Sequence, residues 1–576
     1  MVEKGENSSQ FRTVIWTSIA VLLGAAWITT SRPQSLCRCF PGDACWPSSD
    51  EWDSFNRTVG GRLIATVPIA SPCHDGFPGV NFDAEKCAQI QANWGRPELH
   101  YESTHSPMAA FFVNMSCDPF TPQDAQCIIG SYVPYAVNAS SAEDYRHTAA
   151  FATKHNIRLV IRNTGHDYLG KSTGAGALAL WTRNIRNISV LDYESAAYTG
   201  KAMKMGTGVQ ASEAQAAANA HGLVVVEGDC PSVGIAGGYI QGGGASPLGS
   251  KLGLAVDQVL EWEVVSAGGE LLIANPSQNE DLYWALSGGG GGTYGVVLSV
   301  TVKLHPNMPV ASATLSFIES SDAYWDIVQT FLVNLPAIEA AGVAVYWQVI
   351  PGNMFRMPQL YFPDGTTREL EELLQPTLKA LDRSGIQYDF STTHFPTFQD
   401  SFKTLVPETD VYEINLGGRI IPHSLVASND AAASLTGAIK AIVSNGGVLS
   451  GVSMDVSRLP TSPNSAHPAW RDSLFLAFIT TMYDRHNMTA NIVQQRTVTN
   501  VLVPALDKLT TSGAVYLNEA DFNEPNWQQV FYGENYARLS AIKKKYDPND
   551  LFWAPTAVGS ETWQVAPDGR LCKAGK

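Results

Sequence analysis

Arg162-Asn163-Thr164-Gly165-His166-Asp167-Tyr168-Leu169-Gly170-Lys171-Ser172, in one-letter form RNTGHDYLGKS, follows the apolar run at 157–161. The run reads as a buried strand. A core strand needs only a turn at its end, yet this turn sets a histidine between a glycine and an aspartate. That pattern predicts that something is held there. Two further glycine-rich stretches lie downstream, GDCPSVGIAGGYIQGGG at 228–244 and SGGGGGTYGVV at 287–297. Glycines let backbone N–H groups crowd around an anion, and a pyrophosphate is the usual anion so held. Any one of these loops reads equally well as a plain turn, but three between 162 and 297 predict a dinucleotide site. None is a Rossmann fingerprint, because no GxGxxG opens a βαβ unit, and no P-loop is present.

Around these loops, 131–306 alternates strands and helices. Helices are expected at 142–155 and 211–221, strands at 157–161, 223–226 and 295–304, and a hairpin from 259–267 to 270–274. From 307 to 506 the pattern changes to longer strands (343–349, 357–362) and a helix at 368–380, which reads as a second α+β domain. Tyr532, Tyr536, Leu539, Ile542 and Tyr546 recur at helical spacing, and Asp547-Pro548-Asn549-Asp550 ends that helix.

A chain of 576 residues with 45% apolar content has room for two or three folded units. The net charge is −16 and the longest basic run is Lys543-Lys544-Lys545, which excludes a nucleic-acid surface. Lys4 and Arg12 precede an uncharged stretch at 13–31 with a short apolar centre, the form of a cleaved signal peptide or a signal anchor. The expected location is the secretory pathway, with membrane attachment only if that segment stays on the chain. Sequons at Asn56, Asn114, Asn138, Asn187 and Asn487 agree with secretion, whereas one at Asn7 precedes the apolar segment. Nine cysteines leave one unpaired in an oxidising compartment. Seven fall at 37–127; Cys230 stands far from any other and is the natural odd one out.

The loops at 162–172 and 228–244, the stretches DQVLEWEVV (257–265), LYWALSGGGGGTYGVV (282–297), NYARL (535–539), YDPNDLF (546–552) and AVGSETW (557–563) together resemble the vanillyl-alcohol oxidase superfamily. More narrowly, they resemble its berberine bridge enzyme-like group and the fungal FAD-linked oxidoreductases called isoamyl alcohol oxidase-like. The resemblance implies an α+β fold: a two-part FAD-binding domain of the vanillyl-alcohol oxidase type, an α+β substrate domain, and a C-terminal segment that returns to the FAD domain. The expected divisions are a signal segment at 1–31, a Cys-rich extension at 32–125, the FAD-binding domain at 126–307, the substrate domain at 308–508, the berberine bridge-like segment at 509–565 and a tail at 566–576.

The resemblance also implies site residues. The histidine at the position of His166 bonds the flavin 8α-methyl, and a cysteine in the setting of Cys230 (G-x-C-P-x-V-G) bonds flavin C6. Eight cysteines then remain for up to four disulfides. Read alone, His166 is a capped loop histidine and Cys230 a buried free thiol. Arg162, Asn163, Thr164, Gly165, Asp167, Tyr168, Ser172, Ser232, Gly234, Gly237, Gly238, Gln241, Gly243 and Val297 complete the implied FAD site, and no metal is implied. A strand motif of the form Y-x-N-Y-x-D can carry the catalytic base in this group. Here it reads Tyr516-Leu517-Asn518-Glu519-Ala520-Asp521, with Glu519 in place of the second tyrosine. Glu519 as base with Tyr516 beside it is one reading; a surface carboxylate on an edge strand is the other. Tyr346, Trp347 and Gln348 are candidates for the pocket, or plain sheet residues. The function so implied is a secreted oxidase that passes hydride from an alcohol, an amine or an activated C–H bond of a small molecule to covalent FAD, with O2 reduced to H2O2. A flavin-assisted cyclase without net oxidation and a flavin-free binding glycoprotein are the alternatives.

Overall fold

The computed structural model describes residues 37–575 apart from 407–410, 412, 511 and 512. The signal or anchor segment and Asn7 lie outside the described residues.

The strand Arg158–Arg162 is the edge of a four-stranded sheet ordered Leu63–Ala65, Tyr135–Asn138, Ala177–Trp181, Arg158–Arg162. The last three run parallel and the first is antiparallel. Every residue of Ala177–Trp181 is buried, as a parallel strand covered on both faces requires. RNTGHD therefore leaves the carboxyl end of a parallel strand, a common place for a ligand in α/β sheets. The expected hairpin is present: Val259–Val265 pairs with Leu271–Ala274 at one side of an antiparallel five-stranded sheet. The expected strand at 223–226 is only Leu223–Val224, paired with His305–Pro306.

Residues 310–482 form an antiparallel seven-stranded sheet. Three helices, Ala323–Ala340, Thr367–Ser384 and Asn429–Ser444, share a core with this sheet. Strand alternation divides its two faces. Val345, Trp347 and Val349 of Ala344–Ile350 enter the helix-side core, whereas Ala344 and Tyr346 belong to the core of the glycine-rich unit. The sheet is thus a roof, with Tyr346, Tyr361, Val452, Leu476 and Ile420 on its lower face.

The Cys-rich extension is stitched into this body. Its strand Leu63–Ala65 joins the four-stranded sheet, and Cys37 pairs with Cys572 near the far end of the chain. The other disulfides are Cys39–Cys45, Cys73–Cys87 and Cys117–Cys127, and Cys230 is free. The helical pattern from Tyr532 to Tyr546 is broken into Trp527–Tyr532 and Tyr536–Tyr546. Gly533 breaks it, with φ +57° and His467 packed 2.8 Å from where a Cβ would stand. Asp547 ends the second helix by accepting from the amides of Leu551 and Phe552.

Candidate active site

The three glycine-rich loops meet. Asn163 donates through Nδ2 to Thr182 Oγ1 (3.0 Å) and to the Thr207 carbonyl (2.7 Å), which turns its Oδ1 toward the second loop. A Cβ on Gly234 would collide with that oxygen, and one on Gly237 would lie 3.0 Å from Asn163 Cγ. The third loop closes on the second: Gly290 N–H donates to the Gln241 carbonyl at 2.8 Å, and a Cβ on Gly291 would stand 3.1 Å from Gly238 Cα. These glycines are needed because the Asn163 side chain packs on Gly234 and Gly237 and backbone meets backbone at Gly291, not only because they turn.

His166 and Cys230, 64 positions apart, converge on one atom. Ser232 Oγ lies 2.9 Å from His166 Nε2 and 3.8 Å from Cys230 Sγ. Ser232 is itself fixed, since its carbonyl accepts from Gln210 Nε2 at 2.8 Å. Burial, with His100 and Arg162 adding positive charge, holds His166 down to about 4, so its imidazole is neutral and keeps a lone pair. Burial and then the Asp229 carboxylate raise the Cys230 thiol, which stays protonated in this fold. Asp167 organises the loop around the histidine. Its carboxylate accepts from the amides of Leu169, Lys171 and Ser172 and from Ser172 Oγ.

Other residues of the implied set brace the loops or pack around them. Arg162 is fully buried, and its guanidinium packs beneath the first loop, where a Cβ on Gly165 would stand 2.8 Å from it. Its guanidinium donates to the carbonyls of His100 (2.9 Å), Ser103 (3.1 Å) and Ser106 (2.6 Å) of the extension. Val297 is a core residue whose carbonyl accepts from the Tyr145 hydroxyl. Thr164 is buried and Tyr168 packs edge-on to Phe478 of the roof sheet. Gly243 has φ +125°, with Trp470 and Tyr516 as neighbours.

The segment 516–521 is not a strand. Leu517–Glu519 is a 3₁₀ turn, pinned to the second loop by Asn518 Nδ2, which donates to the carbonyls of Gly238 and Tyr239 (both 3.2 Å). Glu519 is thereby brought to the glycine loops rather than to an outer edge. Burial, and secondarily Asp229, raise its carboxyl to about 8. Tyr516 Oη accepts from Asn518 at 2.8 Å, and burial followed by Glu519 pushes the phenol above its ordinary range. Tyr516 is therefore a neutral donor at ordinary pH. Of the roof candidates, Trp347 faces the other way and donates to Ser453 Oγ, and Gln348 donates to Ser450 Oγ. Tyr346 faces the site, within the electrostatic reach of Asp229 and Glu519.

Sequence reasoning missed Asp229, Glu227 and Tyr361. Asp229 reaches water, yet the protein packed around it raises its carboxyl. Glu227 is fully inaccessible, with neither carboxylate oxygen hydrogen-bonded, and the Tyr361 hydroxyl is likewise unpartnered. An isolated ion so buried is costly, so Glu227 is neutral. The signal for Asp229 was its place beside Cys230; Tyr361 had none.

These residues fit a dinucleotide flavin. Gly238 has no neighbour within 4 Å of a would-be Cβ, so the second loop offers bare backbone to a ligand. The backbone N–H groups of Gly165, His166 and Asp167 take no protein acceptor among the described residues. Such donors suit phosphate oxygens. When bound, FAD supplies a hydride acceptor.

Residues 133–275 match the FAD binding domain family, and residues 515–559 match the berberine and berberine like family. The chain is 47% identical over 553 residues to the FAD-linked oxidoreductase sor8 of Hypocrea jecorina, covering 95% of each chain. It is 41% identical over 563 residues to the VAO-type flavoprotein oxidase VAO615 of Thermothelomyces thermophilus, covering 96% of this chain and 98% of the other. The solved VAO-type flavoprotein MtVAO615 from Myceliophthora thermophila C1 superposes with a TM-score of 0.90 at 41% identity, over 93% of this chain and all of that one. With its fold, its glycine loops and its C-terminal segment all shared, the chain belongs to the fungal FAD-linked oxidoreductases, flavoenzymes of the vanillyl-alcohol oxidase and berberine bridge enzyme-like family.

Proposed function

We propose that the protein is an oxidase that removes two hydrogens from an alcohol, an amine or an activated C–H bond of a small molecule of secondary metabolism. FAD is held through His166 and Cys230, O2 is the final acceptor and H2O2 the second product. For an alcohol, one C–H and one O–H bond break and a carbonyl double bond forms. The two protons and two electrons released reduce one O2 to one H2O2. The observation that carries the reading is Glu519, a carboxyl raised to about 8 that meets no hydrogen-bond or ion-pair partner among the described residues and lies within electrostatic reach of Asp229 in the second glycine loop. Its ionised form takes the substrate proton while hydride leaves to the cofactor; a base poised near working pH is suited to that task. The Tyr516 hydroxyl, its oxygen held by Asn518, keeps its proton to donate to the substrate heteroatom. Ser232, in reach of both His166 and Cys230, supports attachment at both residues. The name of VAO615 supports an oxidase rather than a dehydrogenase.

Four disulfides fit an oxidising compartment. Among the described residues no helix is long and apolar enough to cross a membrane. Secretion, with glycans on the exposed Asn114, Asn187 and Asn487, completes the reading.

The test starts with protein purified from a secretory host and denatured in acid. Yellow colour that stays with the chain and maps to the His166 and Cys230 peptides supports attachment at both. Colour on His166 alone removes Cys230 from the reading, and colour in the supernatant removes both bonds. Stoichiometric O2 uptake and H2O2 release per product support the oxidase; product without O2 uptake favours the cyclase.

A further inference from the structure

The extension at 32–125 reaches the site in a way that its disulfides do not explain. Met108 N–H donates to the Gly165 carbonyl at 3.0 Å, one residue before His166. The next turn, Ala110–Val113, brings Phe112 against Gly170, where a Cβ would stand 2.7 Å from the ring. Phe111 and Phe112 then meet Phe522, three residues beyond Glu519, with ring centroids 4.8 and 5.1 Å away and planes at 47° and 68°. Tyr168, two residues after His166, meets Phe478 at 6.2 Å, and Phe478 pairs across the roof sheet with Gly418. A Cβ on Gly418 would lie 3.2 Å from the Glu519 carbonyl. The aromatic rings thus lie alongside the chain that carries the neutral histidine and the chain that carries the unpartnered carboxyl.

Phe111, Phe112, Phe522, Tyr168 and Phe478 all remain half-buried. Rings whose only task was to glue the extension to the body would gain most by full burial. Tilted rings that keep an open face instead offer edges and faces to another flat ring, the geometry aromatic groups prefer. Binding sites are mostly apolar walls with a few placed polar groups; here Glu519 and Asp229 are the polar groups.

We propose that the Cys-rich extension supplies a specificity wall of the active site, in which Phe111 and Phe112, with Phe522, receive a flat aryl or conjugated portion of the substrate. The inference rests on the proposed function for the reacting group, but the wall itself is testable without turnover. Two uncharged, non-oxidisable probes of similar length are trans-cinnamamide, which is flat and conjugated, and 3-cyclohexylpropanamide, which is neither. Calorimetric titration of the purified holoenzyme with each reads the wall directly. The expected result is about tenfold tighter binding of cinnamamide to the wild type, the upper end of what an aromatic pair adds. Phe111→Ala and Phe112→Ala lose most of that preference, while Phe111→Tyr keeps it. Retained protein-bound colour and an unchanged melting temperature show that a variant is folded. If Phe112→Ala fails to fold because of its packing on Gly170, Phe111→Ala carries the test alone. Absence of binding, absence of preference in the wild type, or a preference that survives in the folded alanine variants would overturn the proposal. Failure of the oxidase reading shows itself separately, as an alcohol that binds but leaves the flavin oxidised.

Discussion

The floor of the site and its roof differ in what holds them. The floor consists of three loops in backbone contact, where Asn163, Gly234, Gly237, Gly238 and Gly291 leave no space for side chains except where a ligand is to enter. The roof and the 516–521 turn consist of side chains held by few bonds. Glu519 has no partner among the described residues, Tyr516 is held through Asn518, and Tyr346 is one member of an alternating strand. A floor of this kind tolerates few substitutions and is suited to holding the proposed flavin. A roof of this kind is free to vary and sets the chemistry.

The sharpest way to break that division is at Glu519. Glu519→Gln keeps the shape and removes the base, so substrate-driven bleaching of the flavin, followed anaerobically by stopped flow, falls by about 10²–10⁴-fold. In the wild type the rate rises with pH through about 8, where the carboxyl ionises, and in the variant that rise is absent. Stability moves the other way. The folded state keeps the Glu519 proton at pH values where the unfolded chain has lost it. Wild-type stability therefore falls as pH climbs from the ordinary glutamate range to about 8. Glu519→Gln escapes this loss, so its melting temperature relative to wild type is higher at pH 8 than at pH 5. An unchanged bleaching rate would move the base elsewhere in the roof.

At the floor the two proposed attachment residues are tested separately. His166→Ala leaves the flavin extractable by acid if the histidine bond is needed to secure it, whereas Cys230→Ser keeps colour on the His166 peptide. The glycines divide further. Gly234→Ala drives a methyl into Asn163 Oδ1 and costs about 1–3 kcal/mol in denaturant melts. Gly238→Ala meets nothing and stays within about 0.5 kcal/mol, yet it binds flavin more weakly because the methyl fills the open floor. Equal losses of stability at the two positions would mean that the open space at Gly238 is not the cofactor's.

This contrast also explains what was legible in the sequence. The floor is local: a strand end, the glycine runs, and the His and Cys of the first two loops carry their own signal, so the meeting of these loops, with His166 and Cys230 both near Ser232, follows short stretches of sequence. Cys230 as the odd cysteine left eight for up to four disulfides, and four are present, but which cysteine pairs with which was not legible. Arg162 sat in the same motif but serves the extension, because its guanidinium finds three carbonyls some sixty positions away in the chain, which no local pattern records. Tyr361 and Tyr346 reach the site only because strands of a seven-stranded sheet put alternate residues under the roof. Phe111 and Phe112 lie in an irregular segment whose docking is set by Met108 and Gly165. The expected strand at 516–521 gave way to a turn because Asn518 bonds to loop carbonyls rather than to a neighbouring strand.

Asp229 belongs to both regions, a floor residue whose field reaches the roof, and it carries the smallest expected effect. It is the one charged group that adds to burial in raising Glu519. Tyr239, Tyr346 and Tyr516, which also lie within electrostatic reach of Glu519, are neutral at ordinary pH. Asp229→Asn therefore removes the only like charge, and the Glu519 carboxyl moves down from about 8 while burial, the larger cause, keeps it above the ordinary carboxylate range. The midpoint of flavin bleaching against pH shifts to lower pH by less than the full displacement, and the rate at pH 7 rises. The same change relieves Cys230, whose thiol Asp229 also holds up, so the variant gains reactivity toward a thiol reagent in flavin-free protein. A midpoint that stays in place while Cys230 responds would confine Asp229 to the floor and restore a sharp boundary between the two halves of the site.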